Sequence, residues 1–445
     1  KSIDTSAAEA APGVQLVLTG KDRATDGVGE IHCHVPPMAF GGPPSPTPAH
    51  PILVTDRVRC VGDCVAFVVA DTANQAQDAA ELIVVDYESL PAVGSTREAV
   101  KDGAAQVWDE NKGNLWFEMD RGDAAATDAC FAKAAHVVKA DLHNNRISAN
   151  AMEPRAALGH FDAARNRYAL YAGSGGAVRQ KNELSTVLGI ESDRLRVLSH
   201  DVGGNFGARN RVYVEFGLVL WASEKLRRPV KYVATRSETL LTDYQGRDLV
   251  TRVSLALDRT GRFLALRADN ISNAGARCVS LSPLGKGSAL VTGAYDIPAA
   301  TMRARAVFTN TMPTQAYRSS GRPEVTFAIE RLIDEAADRF GFNRVELRRR
   351  NLVTPNQMPY PNAVGAVYDS GEYETNMDRA LTLADAAGFA ERRRDAAARG
   401  RLAGLGIANY VESSIGAPNE RTDITVGADG RVRAVIGTQP SGQGH

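Results

Sequence analysis

The 445-residue chain is too long for one ordinary core, so its length predicts two to four domains. Its 44% hydrophobic and 23% charged residues are the fractions of a soluble globular protein, and 52 Lys plus Arg balance 52 Asp plus Glu. That zero net charge argues against the basic footprint of a nucleic-acid binder, and no run approaches the ~20 apolar residues that span a bilayer.

The N-terminus, "KSIDTSAAEAAPGVQ", has neither an initiator Met nor the apolar core of a signal peptide. The C-terminus, "GTQPSGQGH", stops without a polar tail, and both ends are expected to be those of a fragment or a split subunit. From residue 13 to 100 the pattern is α/β-like. "VQLVLTG" and "CVAFVVAD" have strand character, "TANQAQDAAELIVVDY" begins as a helix with Thr72 as N-cap, and "VVDYESLPAV" reads as a strand ending at Pro91. A Pro/Gly-rich loop, "PPMAFGGPPSPTPAHP", lies between the first strands. Cys33, Cys60, Cys64, Cys130 and Cys278 are odd in number and widely spaced, which predicts a reducing, cytoplasmic compartment rather than a disulfide framework. Cys60 and Cys64 sit in the apolar "VRCVGDCVAFVVAD" and read as core thiols, because a structural metal site needs about four ligands.

Residues 101–135, punctuated by Gly103, Gly113 and Gly122, read as a connector. A larger domain starts near "HVVKADLHNNR". It holds the helix "AVRQKNELSTVLG", the strand "RLRVLSHDV", the apolar helix "RVYVEFGLVLWASEKL" and the strand "VKYVAT". The alternating strands "LVTRVSLALD" and "FLALRADNIS" follow, joined through "RTGR". The amphipathic helix "PEVTFAIERLIDEAADRFG" has Pro323 in its first turn and Gly341 at its end. A third block from about 370 carries one helix, "ETNMDRALTLADAAGFAERRRDAAARG", and the strands "GIANYVESS" and "TDITVG…VRAVIGT", with a hairpin signal at Asp429-Gly430. The runs Arg348–Arg350 and Arg392–Arg394 read as solvated faces or salt-bridge partners.

Four stretches could carry chemistry. "HDVGGNFGARN" sets Gly203, Gly204 and Gly207 around Phe206, between a strand and a helix. It matches neither a dinucleotide fingerprint nor a P-loop, and a structural turn and an anion-binding loop fit it equally well. "QAYRSSGRPE" places Arg318 and Arg322 about two serines just before a helix, as a capping loop or an oxyanion- or cofactor-facing one. In "PSGQGH" two glycines bracket Gln443, and alone this reads as a hairpin turn. "NRISANAMEPRAALGHFD" puts Glu153 and Arg155 in an apolar setting, most economically as a buried pair with each other. The eight histidines show no metal-ligand spacing.

In this order, "VRCVGDCVAFVVAD", "AMEPRAALGHFD", "HDVGGNFGARN", "QAYRSSGRPEVTFAIERLIDEAADRFGFNRVELRRRNL" and "GTQPSGQGH" resemble the molybdenum-binding subunit of the xanthine oxidase family. The nearest flavour is the large subunit of aerobic carbon monoxide dehydrogenase and its relatives. The resemblance implies a mixed α/β (α+β) fold. An α/β hammerhead domain would occupy 1–105, a connector 106–135, a first molybdopterin-binding domain 136–368 and the start of a second 369–445. It implies a molybdopterin-type molybdenum cofactor, including its cytosine dinucleotide form, with the metal held by the pterin dithiolene and not by side chains. It further implies partner subunits carrying 2Fe-2S clusters and FAD, and a second chain completing the molybdenum domain.

By the same resemblance, Gly204, Phe206, Gly207 and Arg318 lie beside the metal centre, and Gly442, Gln443 and Gly444 hold the pterin. Asn210, Lys286, Ser319 and Ser320 fall in the substrate pocket. Ser319 stands where carbon monoxide dehydrogenases carry a copper-binding Cys, which argues against that substrate. Gly175 stands where relatives often place a Gln beside the metal's oxo group. The family's catalytic Glu lies in a motif beyond "GQGH", so the isolated chain is not expected to turn over. The implied reaction is hydroxylation of an aldehyde, N-heteroaromatic or similar activated C–H compound with water as oxygen source. The alternatives are a non-catalytic cofactor-binding scaffold and, more weakly, a nucleotide-binding protein using the 200–210 loop.

Overall fold

The first strand signal becomes β1 (Val14–Thr19), paired antiparallel with β2 (Ala66–Ala70), in a computed structural model that describes residues 1–413 and 420–444. Helix α1 (Ala73–Glu81) follows, and the Thr72 side chain caps it by accepting from the Gln75 N–H at 3.2 Å. The strand expected to end at Pro91 is limited to Val84–Asp86, paired with Ser2–Asp4. Farther on, Val93 is tied to Asn310 instead, donating to its side chain and accepting from its backbone N–H. The Pro/Gly-rich loop contains one 3-10 turn, Pro37–Phe40, and a two-residue pairing strand, His50–Pro51. All five cysteines are free, and burial pushes the Cys60 thiol up to about 12, as befits a core thiol.

The expected connector is not featureless. It contributes β3 (Leu115–Gly122) and α2 (Ala124–Lys133) ahead of β4 (His136–Asn144). The glycines that suggested a linker lie at its bends, and the apolar residues of "LWFEMD" supply the buried face of a strand. Next come β5 (Ala156–Asp162), β6 (Arg167–Ala172), α3 (Ala177–Leu188), β7 (Leu195–Leu198), α4 (Val214–Leu226) and β8 (Val230–Val233). Strands β9 (Leu249–Leu257) and β10 (Phe263–Gly275), helix α5 (Ser282–Ser288) and β11 (Ala299–Phe308) complete the sheets. One sheet has the order β7-β6-β5-β8, the other β3-β11-β10-β9-β4. Within these two sheets β6/β7 and β10/β11 pair in parallel and the other neighbours antiparallel.

Helix α6 (Arg322–Phe340) carries Pro323 in its first turn and stops at Gly341 in the left-handed region, φ +77°. Val325, Ala328, Ile329, Leu332, Ile333 and Ala336 form its buried stripe at helical spacing. Helix α7 (Arg344–Asn351) brings Arg348 into the core against Glu330, 2.8 Å, and Asp334, 2.9 Å, so the first arginine of that run is a buried pairing residue. The single helix expected after 370 is two, α8 (Tyr373–Leu383) and α9 (Phe389–Ala398), broken where Asp385 takes φ +45°. The predicted strand "GIANYVESS" does not form over 406–413, and Ser414 lies outside the described residues. The segment's polar groups go to side chains of the core instead: the Asn409 N–H donates to Glu330 at 3.0 Å, and its amide to the Tyr295 hydroxyl at 3.2 Å. The hairpin β12 (Thr422–Val426) and β13 (Val432–Ile436) forms with Gly430 at φ +77° in its turn. Among the described residues no helix is long and apolar enough to cross a membrane.

Candidate cofactor site

Because β6 and β7 are parallel, the loops that leave them, 173–176 and 199–213, emerge at the same end of their sheet. Strand β5 runs antiparallel to β6, so the segment that enters it, 151–155, lies at that end too. This is the carboxyl edge at which open α/β sheets characteristically hold ligands. Ser174 N–H donates to the Ser199 hydroxyl at 3.1 Å, and Gly175 N–H to the Arg209 carbonyl at 3.2 Å.

The glycine loop is organised by Asn205, which is buried. Its amide oxygen accepts from the N–H groups of Gly207, 3.1 Å, and Arg209, 3.2 Å. Its amide nitrogen donates to Asn210 at 2.8 Å and to the Ser441 hydroxyl at 3.2 Å. Gly204 and Gly207 take φ +117° and +94°, and Phe206 itself +53°, with its ring exposed. A Cβ on Gly207 would overlap the Ala316 carbonyl oxygen, so this glycine permits the close approach of the next loop. Glu153 supports the loop from beneath, accepting from Gly203 N–H at 2.7 Å and pairing with Arg209 at 3.0 Å. The expected Glu153–Arg155 pair is therefore absent. Arg155 points the other way into the core, where it meets Glu215 at 2.6 Å, Asp243, Thr242 and the face of Tyr213.

The second loop docks on the first. Arg318 N–H donates to the Phe206 carbonyl at 2.8 Å, and the Gln315 amide donates to the Gly207 carbonyl. Ser319, Ser320 and Gly321 take φ +64°, +28° and +87° in succession. Two non-glycine residues in that region cost about 1–3 kcal/mol each, so other contacts must hold them. Arg322 does so, donating to the Ser319 carbonyl at 2.7 Å, with Glu412 at 2.6 Å as its ion pair. Glu412 also accepts from the Ser319 hydroxyl and, at 2.8 Å, from Tyr410. Arg247 clamps the other side, donating to the carbonyls of Tyr317, 3.1 Å, and Arg318, 3.0 Å, while pairing with Glu324 at 3.1 Å. Burial raises the Glu324 carboxyl above its ordinary range, and Arg247 opposes that rise. The Arg318 side chain is exposed, and Ser320 is buried with its hydroxyl unpartnered among the described residues.

The third loop follows β13. Gln443 folds back on its own turn, accepting from Ser441 N–H at 2.6 Å and donating to the Gln439 carbonyl at 3.1 Å. Gln439 donates to the Ser174 carbonyl at 3.1 Å, and Gly442 and Gly444 take φ +102° and +89°. His445 lies outside the described residues. Lys286, half-buried on α5, joins the group because Gly287 packs against the backbone of Gly321. Burial, Arg322 and Arg211 lower the Lys286 pKa, and burial and Arg179 hold Arg211 down to about 10. Thus Gly204, Phe206, Gly207, Asn210, Arg318, Ser319, Ser320 and Lys286 converge, and the Asn205–Ser441 bond brings the 441–444 turn beside them. Asn205, Arg247 and Glu412 escaped the sequence reading. Only the position of Asn205 inside the glycine motif could have flagged it.

Among the described residues no group of His, Cys, Asp or Glu could hold a metal ion. Positive-φ glycines on two loops joined backbone to backbone suit close approach of a bulky ligand. Residues 107–352 match the family model of the molybdopterin cofactor-binding domain, and residues 1–91 match that of the aldehyde oxidase and xanthine dehydrogenase a/b hammerhead domain. The chain is 31% identical to subunit gamma of the 6-hydroxypseudooxynicotine dehydrogenase complex and 32% identical to the nicotine 6-hydroxylase large subunit, both of Paenarthrobacter nicotinovorans. These alignments cover 100% of this chain and 56% and 55% of those proteins. The crystal structure of quinoline 2-oxidoreductase from Pseudomonas putida 86 superposes with a TM-score of 0.88 at 30% identity, over 100% of this chain and 57% of that one. Fold and site define a molybdopterin cofactor-binding chain of mixed α/β architecture. It belongs to the xanthine oxidase family, among the molybdenum-binding large subunits. The chain spans a little over half the length of the curated relatives it matches.

Proposed function

We propose that this chain holds a molybdopterin-type cofactor, including its cytosine dinucleotide form, and belongs to a hydroxylase of aldehydes, N-heteroaromatics or similar activated C–H compounds that takes its oxygen from water. The carrying observation is the docking of Arg318 N–H on the Phe206 carbonyl, which joins the two glycine-bearing loops into one backbone surface. When bound, the cofactor supplies Lewis acidity and two-electron redox chemistry. The backbone of Gly204, Phe206, Gly207 and Arg318 positions it, and Gly442, Gln443 and Gly444 close on the pterin. Asn210, Lys286, Ser319 and Ser320 orient the substrate, and no residue named here is assigned as the catalytic base. The proposal includes a small-molecule substrate, partner subunits bearing 2Fe-2S clusters and FAD, and a cytoplasmic location.

One observation favours a second reading, a cofactor-binding scaffold without turnover of its own. Gly175 stands where the family resemblance places a Gln, and a Cβ there would overlap the side chains of Asn210 and Asn205, so the loop as packed has no room for that contact residue. Co-expression with the iron–sulfur and flavin subunits, followed by molybdenum and pterin analysis and a panel of aldehydes and N-heteroaromatics, decides among these. Molybdenum with substrate-dependent dye reduction is expected. Molybdenum without turnover supports the scaffold, and a complex carrying iron–sulfur clusters but no molybdenum refutes both.

A further inference from the structure

Among the described residues, Arg179, Arg211 and Lys286 make no ion pair, whereas the nearby Arg209, Arg247 and Arg322 are paired with Glu153, Glu324 and Glu412. Arg179 and Arg211 both donate toward the Asn210 carbonyl, at 3.5 and 3.3 Å. Arg211 is only 7% exposed, and its Nε has no partner. Lys286 sits within electrostatic reach of both arginines. Two acids lie in the neighbourhood: Glu412 is committed to Arg322, Ser319 and Tyr410, whereas Glu183, beside His34 at 3.2 Å, faces Arg211 from beyond ion-pair distance.

Position makes the arrangement costlier still. Arg179 lies in the first turn of the 12-residue helix α3, where the helix dipole disfavours a cation and no acidic residue is present. Gly176 caps that helix, and the direction its Cβ would take is open space. Three cations facing that one acid leave net positive charge around the buried Arg211, and an anionic occupant offsets its cost. Guanidinium forks match the planar oxygens of a carboxylate.

We infer that Arg179, Arg211 and Lys286 form a receptor for a carboxylate on the substrate, so that the compound oxidised is an anionic aromatic or aldehyde acid rather than a neutral one. The inference rests on the hydroxylase reading above. A phosphate of the cofactor would present the same oxyanion chemistry, and the test separates the two sources.

The assembled, cofactor-loaded complex is titrated calorimetrically with benzoate and with benzamide. Benzoate is expected to bind at least about tenfold more tightly. Lys286→Met and Arg179→Met each remove most of that preference, Lys286→Arg retains it, and thermal melts confirm that the variants are folded. Equal binding of the two probes overturns the inference, as does a preference that survives both methionine variants. Benzoate binding seen only after the cofactor is stripped assigns the cations to the cofactor's phosphate and also overturns it. Molybdenum and pterin content on the same samples distinguishes the failures: cofactor present without the preference sinks the carboxylate receptor alone, and cofactor absent sinks the functional assignment.

Discussion

Replacing Gly207 by Ala tests whether backbone approach between the two loops builds the cofactor site. At φ +94° an alanine costs about 1–2 kcal/mol. Its Cβ would also overlap the Ala316 carbonyl oxygen and come 3.1 Å from the carbonyl carbon, so the loops must part. Parting them loses the bonds from Arg318 N–H to Phe206 and from Gln315 to Gly207. At about 1 kcal/mol net for each bond, the total is roughly 3–4 kcal/mol, directed at loop docking rather than at the core. That is a loss of roughly 100- to 1,000-fold in the docked population. Molybdenum per protomer, measured by plasma mass spectrometry on the co-expressed complex, should fall to a small fraction of wild type while the melting temperature drops only slightly. Gly94→Ala, whose Cβ meets nothing within 4 Å, serves as the control and should be silent. A Gly207→Ala protein with wild-type molybdenum content would refute the reasoning.

Other substitutions probe the supports. Arg155→Met leaves Glu215 and Asp243 buried without their cation and should cost about 3–5 kcal/mol in urea unfolding. Asn205→Ala removes the acceptor for the N–H groups of Gly207 and Arg209, so those two amides should exchange with solvent faster, and molybdenum content should fall with them. Burial holds the His50 pKa at about 4, below its ordinary 6.5. The unfolded chain therefore gains a proton that the folded chain refuses as pH falls from about 6.5 to about 4. The stability is fully present above that window and lost through it, by up to about 3 kcal/mol. Urea melts at pH 7 and pH 4.5 should show this loss, and His50→Gln should flatten it; an unchanged slope in the variant counts against the assignment.

Much of the fold was legible because local signals agreed with tertiary needs. The stripe of α6 with Pro323 and Gly341, the cap at Thr72 and the turn at Asp429-Gly430 all formed as expected. The missed elements had signals that pointed elsewhere. Glycines at 113 and 122 resembled a linker, but they lie just before and at the end of a strand that joins the five-stranded sheet. Segment 406–413 has strand composition, yet its polar groups are captured by Glu330 and Tyr295. The site was legible as an ordered set of stretches, but not in its wiring. Glu153 and Arg155 are neighbours in the chain, yet their partners lie more than fifty residues away on opposite sides. Nothing around Glu412 marks it as the residue that fixes Ser319.

The Glu412–Ser319 contact couples the site to the rest of the chain. The segment holding Asn409 and Glu412 is anchored at one end to the α6 core and at the other to the strained Ser319 turn. Ordering the turn and seating the segment are then two sides of one equilibrium. Any occupant that prefers the observed turn tightens the segment by the same factor by which a seated segment tightens the occupant. A ligand bound at the loops would thus be registered as slower exchange or proteolysis along 405–413, a report delivered at a distance from the site itself.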